Sequence, residues 1–295
     1  MRQYLDVLSK VMTEGTDRSD TEEVSTRSTT AQFMRFNMQD GFPAVTTKRL
    51  AFRTAVAELL WFISGSSNVN ELHKLGVKIW DGDAYKPSWL PKAQFPGDVG
   101  RNYSKQWREW LAPDGRHVDQ LGIAINLIQE KPWTARALVS AWNPGELEAT
   151  ALPACHVLFQ FYSAGGKLSL TMYQRSCDMF LGVPFDTAEF ALLLHLVAQI
   201  TNLEPWELIH VLAEPHIYEG HFEAVKEQLT REPFPHPKLW LNPELRTLDQ
   251  VVAKYRELLQ RAEGEEKPLK LMDEVARLEG YKSHEPPKAE IVVIK

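Results

Sequence analysis

The chain has 295 residues, 44% hydrophobic and 24% charged, an ordinary composition for a folded protein with a sizeable core in one large domain or two small ones. Its formal net charge of -6 argues against nucleic-acid binding through a general basic surface, but leaves room for a local anion pocket built from a few arginines. Cys155 and Cys177 have no CxxC or His/Cys cluster beside them, the N-terminus lacks a signal-peptide pattern, and no run reaches about 18 apolar residues; a reducing, cytoplasmic setting without disulfides, metal or membrane is therefore expected.

Tyr4, Leu5, Leu8, Val11 and Met12 fall at helical spacing, predicting an amphipathic helix over 2–13 that ends near Gly15. Residues 16–33 are polar and rich in turn formers, so they read as a surface loop or a mobile substrate flap. FMRFNMQDGFPAVTTKR predicts a strand and then a turn around Asp40–Pro43. From Phe52 to Ile63 the chain is apolar nearly all round, as a core helix is, yet it contains Glu58. That carboxylate lies either on an exposed edge or in the interior for a purpose, because burying it unsatisfied is costly. A helix over 68–80 leads to Ile79-Trp80-Asp81, and 82–104, with Pro87, Pro91 and Pro96, reads as an irregular excursion. QLGIAINLIQ predicts a helix, and ARALVSAWN a strand with Arg136 near its start.

Residues 152–186 concentrate the unusual groups. VLFQFY and KLSLTMY have the aromatic and β-branched content of strands, and Ala164-Gly165-Gly166 supplies a turn between them. Such a hairpin brings Arg175 back toward Cys155, where a guanidinium favours the thiolate. The competing reading is a cysteine packed as a small hydrophobe. Beyond Asp186, TAEFALLLHLVAQITNL predicts a second long core helix. A short strand follows, then His216 and Tyr218 near a helix start, a helix around 244–264, and an apolar strand-like run at 291–294. No repeat is present. Two core helices among several strands indicate an α/β (α+β) fold, a mixed sheet packed with helices in a single domain over 1–295.

The ordered segments QDGFPAVTTKR, ELLWFISG, IWD, YSKQWREW, PDGRHVDQ, VSAWNPGEL, PACH, YQRSCDMFLGVPF and PHIY make the sequence similar to thymidylate synthase over almost its whole length. The resemblance implies a homodimer that moves a one-carbon unit from 5,10-methylenetetrahydrofolate, as co-substrate, to carbon 5 of a pyrimidine nucleotide. Carbon 5 is a poor nucleophile until a thiolate adds to carbon 6. The resemblance makes Cys155 that thiolate and Glu58 the general acid/base, with Tyr103, His156 and Gln174 around the proton network. It implies Arg175, Ser176 and Arg18 at the phosphate, with Arg27 as a weaker alternative to Arg18, and His216 and Tyr218 at the sugar. Asp178, Ile79, Trp80, Leu181, Gly182 and Phe185 line the folate site, where Lys48 meets the glutamate tail. Arg136 serves the other subunit's site.

Three departures from the family pattern matter. Asp186 stands where the family's uracil-reading asparagine is expected after LGVPF, and a carboxyl group matches cytosine's amino group better than uracil's donor–acceptor edge. The chain thus resembles the cytosine-directed branch, the deoxycytidylate methyltransferases and hydroxymethylases of phage DNA modification, which would place it in a host cytoplasm. At the phosphate, the loop reads DRSDTEEVSTRS and the expected arginine pair reads Ala135-Arg136, leaving a ribonucleotide substrate open. For the outcome, Trp80 and Leu152 are kept as walls against water, favouring methylation, whereas Asp83 in place of a second tryptophan and Lys295 beyond the usual end favour hydroxymethylation. The expected reaction is dCMP to 5-methyl-dCMP; the alternatives are hydroxymethylation of dCMP or CMP, thymidylate synthesis from dUMP, and a retired nucleotide-binding or regulatory protein.

Overall fold

A computed structural model describes residues 1–20 and 24–287. Helix α1 (Arg2–Glu14) buries Tyr4, Leu5, Leu8, Val11 and Met12, as their spacing predicts. The polar segment after it is a hairpin, with β1 (Thr16–Asp20) antiparallel to β2 (Val24–Ser28). Strand β3 (Gln32–Asn37) precedes the core helix α2 (Phe52–Ser64), which is closed by Gly65 at φ 78. The helix predicted over 68–80 shrinks to α3 (Val69–Lys74), because the chain turns at Gly76 with φ 76. Two short helices, α4 (Asp81–Ala84) and α5 (Tyr103–Arg108), punctuate the irregular excursion. The ribbon of β4 (Trp110–Leu111) and β5 (His117–Val118) leads to α6 (Gln120–Glu130) and then β6 (Leu138–Ser140).

Strands β7 (His156–Ala164) and β8 (Lys167–Gln174) form the predicted hairpin, with Gly165 and Gly166 at φ 57 and 77, the left-handed pair that a tight, strand-matched turn requires. Next come β9 (Cys177–Asp178) and the long helix α7 (Gly182–Thr201). Beyond it, β10 (Glu204–Leu212) and β11 (Pro215–Tyr218) replace the single short strand expected, so His216 and Tyr218 lie on a strand. Helix α8 (Phe222–Leu229), β12 (Lys238–Leu241), α9 (Leu248–Arg261) and β13 (Ala276–Glu279) complete the order. The run at 291–294 and Lys295 lie outside the described residues.

The main sheet has five strands in the order β3-β10-β8-β7-β6, parallel between β10 and β8 and antiparallel elsewhere, which makes it mixed. One face presents Met34, Phe36, Phe159, Leu168, Leu170, Met172 and Leu208, all buried. By length and composition α7 is apolar enough to cross a membrane, yet 72% of its most apolar window is buried inside the protein, where it packs on α2, α6, β8 and β10. The opposite face of the sheet carries Phe33 (64% exposed), Tyr162 (67%), Tyr173 and Leu138. A second sheet, β1-β2-β11-β9, sets the hairpin beside the entry to α7.

One irregularity aims the site. On β7, His156 pairs with Gln174 and Leu158 with Tyr173, so Val157 is an extra residue in the strand. This bulge resets the alternation of side chains. Leu158 and Tyr173 take the outer face, while His156 joins Gln174 on the inner one.

Candidate active site

Cys155 stands just ahead of β7. Its backbone N–H donates to Tyr103 Oη at 2.7 Å, and its carbonyl accepts from the Arg175 N–H at 2.9 Å, across the hairpin. Arg175 is anchored rather than free: Nε donates to the Ala154 carbonyl and Nη2 to the Pro153 carbonyl, each at 2.9 Å, and the guanidinium lies 5.2 Å from the Trp142 ring. Nη2 is 3.9 Å from Cys155 Sγ. Burial pushes the thiol above its ordinary value, with the Arg175 charge opposing and Asp186 adding to the rise. The thiolate expected from proximity to the guanidinium alone is therefore outweighed by the low-dielectric surroundings.

Glu58 is 7% exposed on α2, which settles its two readings in favour of the interior. It accepts a hydrogen bond from Trp80 Nε1 at 2.5 Å. Burial raises its pKa, Trp80 counters, and the Asp186 charge adds to the rise, so the carboxyl holds its proton into neutral pH. Tyr103, also raised by burial, keeps its phenolic hydrogen while accepting from Cys155.

Asp186 ends a directed chain. Burial pulls His210 down to about 3, so it is neutral and has one N–H to give. Thr187 Oγ1 lies 3.0 Å from His210 Nδ1, and His210 Nε2 lies 2.7 Å from Gln174 Oε1. The consistent assignment has Thr187 donating to His210 and His210 donating to the Gln174 carbonyl oxygen. The Gln174 amide then donates to Asp186 Oδ2 at 2.8 Å. His156 Nε2 meets Asp186 Oδ1 at 3.2 Å. Asp186 Oδ2 thus accepts from the Gln174 amide, and Oδ1 lies against the His156 ring.

At the other end, His216 and Tyr218 are buried on β11 with ring centroids 5.0 Å apart. Burial alone lowers the His216 pKa, but the 3.0 Å contact of its Nδ1 with Glu214 Oε2 carries the net shift upward. Burial lifts Tyr218 to about 12. Glu214 Oε1 accepts from Arg18 Nη1 at 3.3 Å, so Glu214 links the hairpin to His216. Geometry separates the two arginines. Arg27 is consumed by Asp17 at 2.6 and 3.0 Å, by the Met12 carbonyl at 2.9 Å and by the Phe222 ring, whereas the Arg18 side chain is 64% exposed. Arg136 is exposed beside β6 and makes no ion pair among the described residues.

Of the expected folate-site residues, Trp80 is buried against Trp61, Phe62 and Tyr103, while Ile79 is 45% exposed. Leu181, Gly182 and Phe185 form the half-buried first turn of α7. A Cβ on Gly182 would stand in ordinary contact, 3.5 Å from Asp178 Cβ and 3.6 Å from Asp186 Oδ2, so this turn lies directly between the two carboxylates. Asp178 Oδ1 holds the turn by accepting from the N–H groups of Phe180 and Leu181 at 3.0 and 3.2 Å. Ser176 is half-buried next to Arg175, and its backbone carbonyl accepts from Gln174 Nε2 at 3.0 Å. Lys48 departs from expectation. Its ammonium is buried, donates to the Phe180 carbonyl and lies 4.1 Å from the Phe180 ring, and desolvation lowers it to about 8. It is an internal strut here, not a surface cation facing a glutamate tail.

Thr187, His210, Glu214 and Glu189 escaped the sequence reading. Glu189 carried the signal that flagged Glu58, a carboxyl inside an apolar helix, but the apolar run around it was read as uninterrupted. A family comparison now joins the geometry: the model of the thymidylate synthase family matches residues 2–293.

Proposed function

The chain belongs to the thymidylate synthase family, and from that premise we propose that its substrate is dCMP and its product 5-methyl-dCMP. Membership implies folate-dependent transfer of a one-carbon unit to carbon 5 of a pyrimidine nucleotide. The choice of base rests on one observation, the donor chain that ends on Asp186. With the Gln174 amide donating to Oδ2, the Asp186 carboxylate offers acceptor lone pairs to a ligand. Cytosine's amino group donates to one of them, and its ring nitrogen 3 joins the other through a shared proton. Uracil would set its exocyclic oxygen against a carboxylate oxygen, a mismatch of about 1–3 kcal/mol per group.

In this reading Cys155 Sγ adds to carbon 6 and makes carbon 5 nucleophilic. Glu58, Tyr103 and His156 manage the ring's protons, and Arg175, Ser176 and Arg18 take the phosphate. His216 and Tyr218 hold the sugar, while Ile79, Trp80, Asp178, Leu181, Gly182 and Phe185 line the folate. Lys48 reaches a folate tail only if it leaves Phe180. The aromatic wall around Trp80, with Leu152 packed on the core, supports water exclusion and hence a methyl product. Asp83, paired with Lys86 at 3.1 Å, supports the second reading, hydroxymethylation, because a carboxylate whose charge reaches the Cys155 thiol stands where a second tryptophan would shield the centre. The exposed row Phe33, Leu138, Tyr162 and Tyr173 supports a homodimer through the bare sheet face, with Arg136 reaching the partner's site.

Product mass after incubation with dCMP, CMP or dUMP and methylenetetrahydrofolate tests the assignment, with dihydrofolate absorbance followed in parallel. A methylated dCMP with dihydrofolate formed is expected. A hydroxymethyl product without dihydrofolate would select the second reading, and product from dUMP alone would refute the cytosine assignment.

A further inference from the structure

Glu189 sits on α7 three residues beyond Asp186, close to one helical turn, so both side chains leave the same face of the helix. It is 0% exposed, and neither carboxyl oxygen has a hydrogen-bond partner among the described residues. A carboxyl group so placed is among the costliest things a core can hold, and its persistence calls for a role. The charges acting on it are Glu58, across the α2–α7 contact, and Asp186 on its own helix. Behind Asp186 stand His156 from β7 and His210 from β10, with the Tyr103 ring from α5 tilted against His156 at 5.1 Å between centroids. Among these groups, Glu58 is the acid/base of the function proposed above, and it accepts from the Trp80 indole at 2.5 Å.

We propose that Glu189 is a positioning residue for the reacting centre, donating a hydrogen bond to Glu58 whenever Glu58 gives up its proton. This rests on the reading of Glu58 as the acid/base. Burial holds Glu189 in the neutral, proton-bearing form, with Glu58 and Asp186 reinforcing the shift. A neutral acid in an apolar site is a donor that costs no charge. When Glu58 passes its proton to the ring, its carboxylate is left in low dielectric with the Trp80 N–H alone; the Glu189 O–H, through a side-chain rotation or one bridging water, supplies a second donor. No proton leaves Glu189 in this step, so the cycle balances when Glu58 is reprotonated.

The test compares the wild type with Glu189→Gln, Glu189→Leu and Glu58→Gln, each first checked for a cooperative unfolding transition. Difference infrared spectroscopy should find a protonated carboxyl C=O band that Glu189→Gln removes; a band unchanged in that variant overturns the proposal even if Glu189→Leu fails to fold. In pH profiles of kcat/KM, Glu189→Leu should move the limb reporting Glu58 upward by about one pH unit, because the Glu58 anion has lost a charge-assisted donor. Glu189→Gln, whose amide still donates, should leave that limb within about 0.3 pH units while lowering kcat. A Glu189→Leu limb that stays in place, whatever the drop in kcat, would reduce Glu189 to packing. Substantial turnover in Glu58→Gln would instead refute the role of Glu58 itself, a failure distinguishable from that of Glu189.

Discussion

Asp186 and Arg18 serve opposite ends of the same candidate site and are held in opposite ways. Asp186 is 8% exposed, receives a donor relayed from Thr187 through His210 and Gln174 on one side, and has the His156 ring 3.2 Å from its other oxygen. Arg18 lies on a hairpin with its side chain 64% exposed and, among the described residues, donates to Glu214. The base end is thus organised before any ligand arrives, so a mismatch there leaves buried groups unpaired and is expensive. The phosphate end relies on long-range charge and adjusts to its ligand, which gives affinity more than discrimination.

The comparison yields a graded set of tests. Cys155→Ser strikes the chemistry itself and should cut turnover by about 1,000-fold or more while nucleotide binding, measured by calorimetry, persists. Asp186→Asn reverses one end of the donor chain and should shift the ratio of kcat/KM for cytosine over uracil nucleotides by about 100-fold toward uracil. Stability should carry the mark of the base end too. Glu58 and Glu189 have raised pKa values, so between the ordinary carboxyl range and those values the folded chain binds more protons than the unfolded one. The unfolding free energy should accordingly be full at acid pH and fall as pH rises through that interval, by up to about 1.4 kcal/mol per pH unit for each group. Denaturant titrations over that range should show the slope, and Glu58→Gln should flatten it. The smallest effects belong to the hairpin. Arg18→Ala should raise KM roughly 5-fold at low salt and less at high salt, whereas Arg27→Ala should lower the unfolding temperature and leave KM unchanged.

The base end was also the more legible in sequence. Cys155, Arg175 and Asp186 lie in one stretch whose Gly165-Gly166 turn announces its own hairpin, so their convergence followed from local signals. Glu58 was visible as a charge inside an apolar helix, and the same logic applied to Glu189 would have found it. His210 left no comparable trace, because its partners Gln174 and Thr187 are 36 and 23 residues away and meet it only through the parallel β10–β8 pairing. β11 was missed because four residues, all buried, show no alternation. The inward turn of the Lys48 ammonium to Phe180 was not legible either, because its position in a motif does not reveal it. Length and composition carried the helices further than the strands, since a 20-residue apolar run such as α7 is a stronger pattern than a three-residue strand such as β6.

The extra residue in β7 gives the strand a parity. Beyond Val157, the even-numbered Leu158, Gln160 and Tyr162 share one face; before it, even-numbered His156 belongs to the other. Addressing along this strand is therefore a matter of counting. Substitution at 157 preserves the count whatever side chain is chosen, and deletion of that single residue would remove only the bulge, leaving His156 next to outward-facing Leu158 and so still on the inner face.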